Sequence, residues 1–224
     1  MTVHMVREIN NLKKLILALG AHVEQNVHLA VQSLDTRDSQ LARKIINADH
    51  TIDNQEVALE EECLTLLALY QPVAIDLRFV VAVLKINSDL ERISDLAVNI
   101  AERALFLNER EKINIPFDFQ GMVGKTKVML RKSLDALVAM DTHLAHEVCA
   151  SDDEVDAINR EMYTQVQDGI RREPAHIESL IHYLSTARHL ERIADHATNI
   201  AEDVIYMVDG EIVRHRTEDY VKKE

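Results

Sequence analysis

The sequence has no tryptophan, only 4% aromatic residues, five glycines, three prolines and two cysteines. So few glycines and prolines leave too little turn chemistry for a sheet protein of 224 residues. With aromatics scarce, the core must come from Leu, Ile, Val, Ala and Met, which suits helices packed on helices. Cys63 and Cys149 stand far apart and form neither a CxxC pair nor an even-spaced framework. They read as reduced thiols on helices of a cytosolic protein. No stretch approaches the run of about 20 apolar residues that spans a bilayer. The segment Met1 to Glu8 is charged and lacks the apolar centre of a secretory signal. A cytoplasmic chain that meets a membrane only through partners is therefore expected. Positive charge is also short: 25 Lys and Arg stand against 38 Asp and Glu, a formal net charge of −13. Such a surface repels phosphate backbones, so no nucleic-acid partner is expected.

What is present is helical periodicity. Hydrophobic residues make up 47% of the chain and recur at i, i+3, i+4 and i+7 almost throughout. A first helix is predicted from about residue 3 to Leu34. Asp35-Thr36-Arg37-Asp38 then forms a polar break ending in a good N-cap. A second helix runs from about Ser39 to Leu69. Pro72 stands where a third can begin, and that helix continues to about Arg110. Glu111 to Gly121, with Pro116 and two phenylalanines, reads as a linker. Three more helices follow, over about Met122–Met140, Thr142–Arg172 and Ala175–His215, with a charged, fraying tail from Arg216 to Glu224.

The second half repeats the first. Leu90-Glu91-Arg92-Ile93-Ser94-Asp95 returns as Leu190-Glu191-Arg192-Ile193-Ala194-Asp195, and Asn99-Ile100-Ala101-Glu102 as Asn199-Ile200-Ala201-Glu202, at an offset of 100 (191 − 91). Upstream, Asp38, Asp49 and Asp53 match Asp141, Asp152 and Asp156 at an offset of 103 (141 − 38). A repeat this long is one duplicated unit, not a short-period solenoid. The expected fold is all-α: two tandem, pseudo-symmetric three-helix bundles, residues 1–112 and 113–224.

Each copy carries an acidic stripe. At 100° per residue, Glu91, Asp95, Asn99 and Glu102 fall within about 80° of one another, opposite the apolar face. Asp49, Asp53 and Glu56 align likewise on the preceding helix. An antiparallel hairpin turning at Pro72 places Asp53 level with Glu91 and Asp49 level with Asp95. A second hairpin, turning at Pro174, does the same for Asp156 with Glu191 and Asp152 with Asp195. Like charges at i, i+4 cost a helix only about 0.2–0.5 kcal/mol per pair, so a solvated acidic face is one reading. The other is a cation site, favoured because no Lys at i+4 offsets the glutamates and the spacing recurs in register in both copies. An all-oxygen donor set suits Mg²⁺, Mn²⁺, Ca²⁺ or oxidised iron. His189 and His196 flank the second stripe and read mainly as surface residues. Arg92 and Arg192 either pair with a neighbouring carboxylate or are ordinary surface arginines. Arg78 has no counterpart in the second copy, and its role stays open. Glu56 faces Asn159 at the matching position, which predicts a weaker second site. No nucleophile elbow, glycine-rich phosphate loop or Cys/His pair is present, so an enzyme is not expected.

The run Gln71-Pro72-Val73-Ala74-Ile75-Asp76-Leu77-Arg78, followed by Asp89 to Asp95 and Asn99 to Glu102, closely resembles the signature of the PhoU family, and Leu190 to Glu202 resembles it again. The likeness spans essentially the whole chain. It implies a dimeric cytoplasmic regulator of phosphate uptake and of the phosphate-starvation response, with negative regulation when phosphate is plentiful. It further implies partners in a sensor histidine kinase and the ATPase of a phosphate ABC transporter. The resemblance also implies metal ions, iron among them, on Asp49, Asp53, Glu91, Asp95, Glu102, Asp152, Asp156, Glu191, Asp195 and Glu202. Rival expectations are a carboxylate-based iron store and a purely structural helical scaffold.

Overall fold

The computed structural model describes residues 3–213. Among these, six α-helices and one 3-10 turn account for all regular structure. The helices are α1 (Val3–Asp35), α2 (Ser39–Tyr70), α3 (Ala74–Asn108), α4 (Phe119–Ala139), α5 (Thr142–Arg172) and α6 (Ile177–Asp209), with the 3-10 turn at Pro174–His176 ahead of α6. The all-α expectation and the tandem three-helix layout hold.

Local chemistry sets the boundaries. Asp38 caps α2 by accepting from the Gln40 and Leu41 amides at 2.9 and 3.0 Å, and its repeat mate Asp141 caps α5 by accepting from Leu144 at 3.1 Å. Two ends differ by three residues or more from the periodicity reading. Helix α4 begins at Phe119, not Met122, because Asp118 accepts from the Gly121 amide at 2.9 Å and so turns Gly121 into first-turn helix. Helix α6 stops at Asp209, not His215: Gly210 takes φ +74° and its amide closes on the Tyr206 carbonyl, a left-handed cap that ends the helix. The expected tail from Arg216 to Glu224 lies outside the described residues. The linker is not loose, since Ile113 and Phe117 are buried and Phe117 meets Phe119 edge-on.

Helix α1 packs on α2 and α3, and α4 packs on α5 and α6. The two units join chiefly along α3 and α6, with a lesser contact between α1 and α4. Helices α3 and α6 run antiparallel, because Lys85 pairs with Asp203 at one end and Arg110 with Glu178 at the other. Their buried faces are repeat mates: Leu90, Ile93, Ala97 and Ile100 on α3 correspond to Leu190, Ile193, Ala197 and Ile200 on α6, all fully buried. One apolar stripe thus serves each bundle core, which leaves the acidic stripe toward the α2–α3 or α5–α6 groove.

Candidate metal centre

The hairpin register expected from Pro72 is present. Across α2 and α3, Ser94 donates its hydroxyl to Asp49 Oδ1 at 3.2 Å, and Asn87 donates to Glu56 Oε1 at 3.2 Å and to the Glu56 carbonyl at 2.9 Å. Glu56 is therefore held by a neighbouring amide. The carboxylates are more withdrawn than a purely outward stripe implies. Asp53, Asp95 and Glu102 are exposed, while Asp49, Glu56 and Glu91 are half-buried in the groove. Burial is the main reason Asp49, Glu56, Glu91 and Asp95 hold their protons more tightly than free carboxyls. Mutual repulsion adds to this: Asp53 acts on all four, Asp95 on Asp49 and Glu91, and Glu60 on Glu56.

In the second unit the carboxylates converge further. One oxygen each of Asp156, Glu191 and Asp195 lie within 4.8 Å of one another. A hard cation bound at about 2.0–2.6 Å from each of its oxygens needs donors no more than about 4–5 Å apart, so this trio fits one ion. Among the described residues, no trio of the first unit closes to that degree. The second cluster is thus the more closely packed of the two, where Asn159 in place of Glu56 led to the expectation of the weaker site. Asn159 is no missing ligand: its Nδ2 donates to Glu191 Oε1 at 3.0 Å and aims that carboxylate across the groove. Burial, with repulsion from neighbouring carboxylates, pushes Asp152 and Asp195 up to about 6 and raises Glu191. Three crowded, partly desolvated carboxylates are a charge arrangement that a divalent cation relieves.

Glu102 and Glu202 stand apart from these clusters. Each lies two helical turns beyond Asp95 or Asp195, about 10 Å along the axis, and Glu102 sits 4.0 Å from the neighbouring Arg103 instead. Arg92 and Arg192 form no ion pair within 4 Å among the described residues. Arg192 reaches across the seam to line an open cleft of about 360 Å³ over Glu91, Asp95 and Asn99. His196 is turned away from the trio, its Nδ1 2.8 Å from Asp89 Oδ1 of the first unit, and His189 contacts Ser185 at 3.3 Å. Arg78 rests its guanidinium against the Gly210 cap of α6, where a Cβ would lie 3.4 Å from it.

Two copies of the PhoU domain match this chain, over residues 16–104 and 119–204. The chain belongs to the PhoU family. A phosphate-specific transport system accessory protein PhoU homolog of Aquifex aeolicus is 37% identical over 212 residues, covering 95% of this chain and 96% of that protein. The PhoU homolog 1 of Thermotoga maritima is 35% identical over 93% of this chain and 90% of its own length. The crystal structure of PhoU from Pseudomonas aeruginosa superposes with a TM-score of 0.88 at 35% identity, covering 92% of this chain and 99% of that one. That of Streptococcus pneumoniae, a phosphate transport system regulatory protein, gives 0.85 at 31% identity, with 93% and 99% covered.

Within this PhoU frame, the supporting amides and hydroxyls are Ser94, Asn87 and Asn159; the sequence pointed to Asn159 only as a gap in the carboxylate pattern, and the supporting roles of Ser94 and Asn87 were not foreseen. Asn159 carried a signal, since it breaks the repeat at a carboxylate position. Asn87 and Ser94 both have alanine mates, at Ala187 and Ala194, so a departure from the repeat marked all three.

Proposed function

We propose that this chain regulates phosphate uptake and the phosphate-starvation response as a cytoplasmic, non-enzymatic adaptor between a phosphate ABC transporter and a sensor histidine kinase, with metal ions held on its carboxylate grooves. The observation that carries the regulatory reading is the near-complete, two-domain alignment with phosphate-specific transport accessory proteins. No helix of the described residues is long and apolar enough to cross a membrane, so action at the transporter runs through a protein partner. The metal reading rests on the Asp156–Glu191–Asp195 trio, whose oxygen donors suit iron, manganese or magnesium. Asp49, Asp53, Glu91 and Asp95 would supply the matching groove of the first unit. The proposed adaptor acts as a homodimer.

Two measurements test it. Expressed in a bacterium lacking its own PhoU, the protein is expected to lower phosphate uptake and a phosphate-starvation reporter at high phosphate; unchanged uptake and reporter would defeat the regulatory reading. Elemental analysis of the freshly purified protein is expected to show bound metal. The quadruple change Glu91→Ala, Asp95→Ala, Glu191→Ala, Asp195→Ala should remove that metal while helical circular dichroism stays intact. Equal metal content in both proteins would sink the site assignment.

A further inference from the structure

Away from the carboxylate clusters, α1 and α4 run antiparallel with a cleft of about 640 Å³ between them, lined by residues of those two helices alone. The two helices meet closely at one end, where Gly20 faces the Leu134 side chain, and are tied at the other by Gln120 donating to Asp35 at 3.0 Å. Between these points Val27, Val123 and Leu130 form a buried apolar floor, and Val128 stands 53% exposed on the rim. The cleft runs past residues 21–28 of α1 and 120–131 of α4, about 10–16 Å of helix, enough for about two to three turns of a third helix.

Two features indicate what such a helix looks like. The first is Gly124, in the interior of α4. A Cβ there would meet nothing within 4 Å, so nothing in the chain itself requires a glycine. A glycine inside a helix is unfavourable relative to alanine, and what it permits is close approach of another backbone to the cleft wall. The second is charge. Helix α4 carries Lys125, Lys127, Arg131 and Lys132 in a chain of net charge −13. Lys125 and Lys132 turn away to pair with Glu154 and Glu147 of α5. Lys127 and Arg131 face the cleft. The Lys127 ammonium sits 2.7 Å from His28 Nδ1, a contact that a neutral imidazole accepts without cancelling the charge. Among the described residues Arg131 reaches only the exposed Asp135 on its own helix, at 3.9 Å. Glu24 is the single carboxylate in the lining.

We propose that this cleft is a docking groove for an amphipathic helix of a partner protein, whose apolar stripe lies on Val27, Val123 and Leu130 and whose flank toward α4 is acidic. The inference is independent of the metal site and of the role in phosphate regulation. It is tested by displaying a library of random amphipathic helical peptides against the full chain, with counter-selection on Gly124→Leu. A Cβ at position 124 meets nothing within 4 Å and leucine is the better helix former, so the melting temperature of that variant is expected to match or exceed the parent's. Enriched peptides are expected to carry apolar residues at i, i+3 or i+4 and i+7 with an excess of Asp and Glu. They should bind at least tenfold more weakly to Gly124→Leu and to folded Lys127→Glu/Arg131→Glu, and lose affinity as salt rises. Absence of binders sensitive to Gly124→Leu, or enrichment of neutral or basic peptides, overturns the proposal. Concentration-dependent dimerisation abolished by Gly124→Leu would assign the groove to a second copy of this chain and overturn it equally.

Discussion

A carboxylate among other carboxylates pays for its position in proton affinity, and in the α5–α6 groove the effect is large enough to read out. Asp152 and Asp195 are raised from 3.8 to about 6, burial first and neighbouring carboxylates second. Their folded-state affinity for protons exceeds the unfolded one, so in metal-free protein their ionisation opposes folding once pH passes the unfolded value. Replacing both by Asn removes that opposition. The Asp152→Asn/Asp195→Asn variant is therefore expected to melt above the parent at pH 7. The gap should close as pH falls from about 6 to about 4, where the parent's carboxyls are protonated in both states. Thermal melts across that range in the presence of a chelator check the sign, and a gap that widens toward acid would contradict it. Saturating metal should reverse the order at pH 7, because binding stabilises only the protein that retains the ligands. The stripe itself was legible in the sequence, because its spacing depends only on helical geometry. Which oxygens close to one ion was not, because that depends on side chains such as Asn159 that bridge two helices.

At the scale of the helix, ends are decided by one or two groups that satisfy free amides and carbonyls. Asp38 and Asp141 occupy the same cap in the two units. Asp38→Ala and Asp141→Ala are each expected to cost about 1 kcal/mol in chemical denaturation, with the losses adding because the caps lie in different bundles. The sequence marked both caps, since an N-cap signal is local. It missed the other end of α3, where Arg37, at φ 56°, donates to the carbonyls of Leu107 at 2.7 Å and Asn108 at 3.1 Å, and also to that of Arg110. That cap comes from the α1–α2 turn, 70 residues away in the chain, and no pattern within α3 announces it. The overlong reading of α6 has a similar cause. Apolar periodicity continues into Ile212 and Val213, and only the left-handed Gly210, with Arg78 packed against it, stops the helix.

At the scale of the whole molecule, the duplicated sequence builds a seam that is not itself symmetric. On one side Lys85 pairs with the buried Asp203 and Asp89 with His196. The repeat mates of these residues, Ser185 with Arg103 and His189 with Leu96, cannot form either pair. Burial, with Asp89 and Glu202 nearby, pushes Asp203 up to about 7, and the Lys85 ammonium works against that by favouring the charged form. Lys85→Ala leaves a buried carboxyl without that partner and is expected to destabilise the protein by about 1–3 kcal/mol at pH 7. That is below the figure for a fully buried pair, because Lys85 is itself a third exposed. Adding Asp203→Leu should recover much of the loss; a double variant no more stable than Lys85→Ala would show that packing around Asp203, not its charge, holds the seam. The sequence by itself determined the helical class, the duplication, the hairpin register and the acidic stripes. All of these follow from the 3.6-residue period and from local capping, which need no knowledge of the partner helix. The tertiary structure alone decided that the tighter carboxylate cluster lies in the second unit, that the ion pairs along the seam do not follow the repeat, and that a basic-rimmed cleft opens between α1 and α4. Each of those depends on distances between side chains far apart in the chain, and helical periodicity carries no information about them.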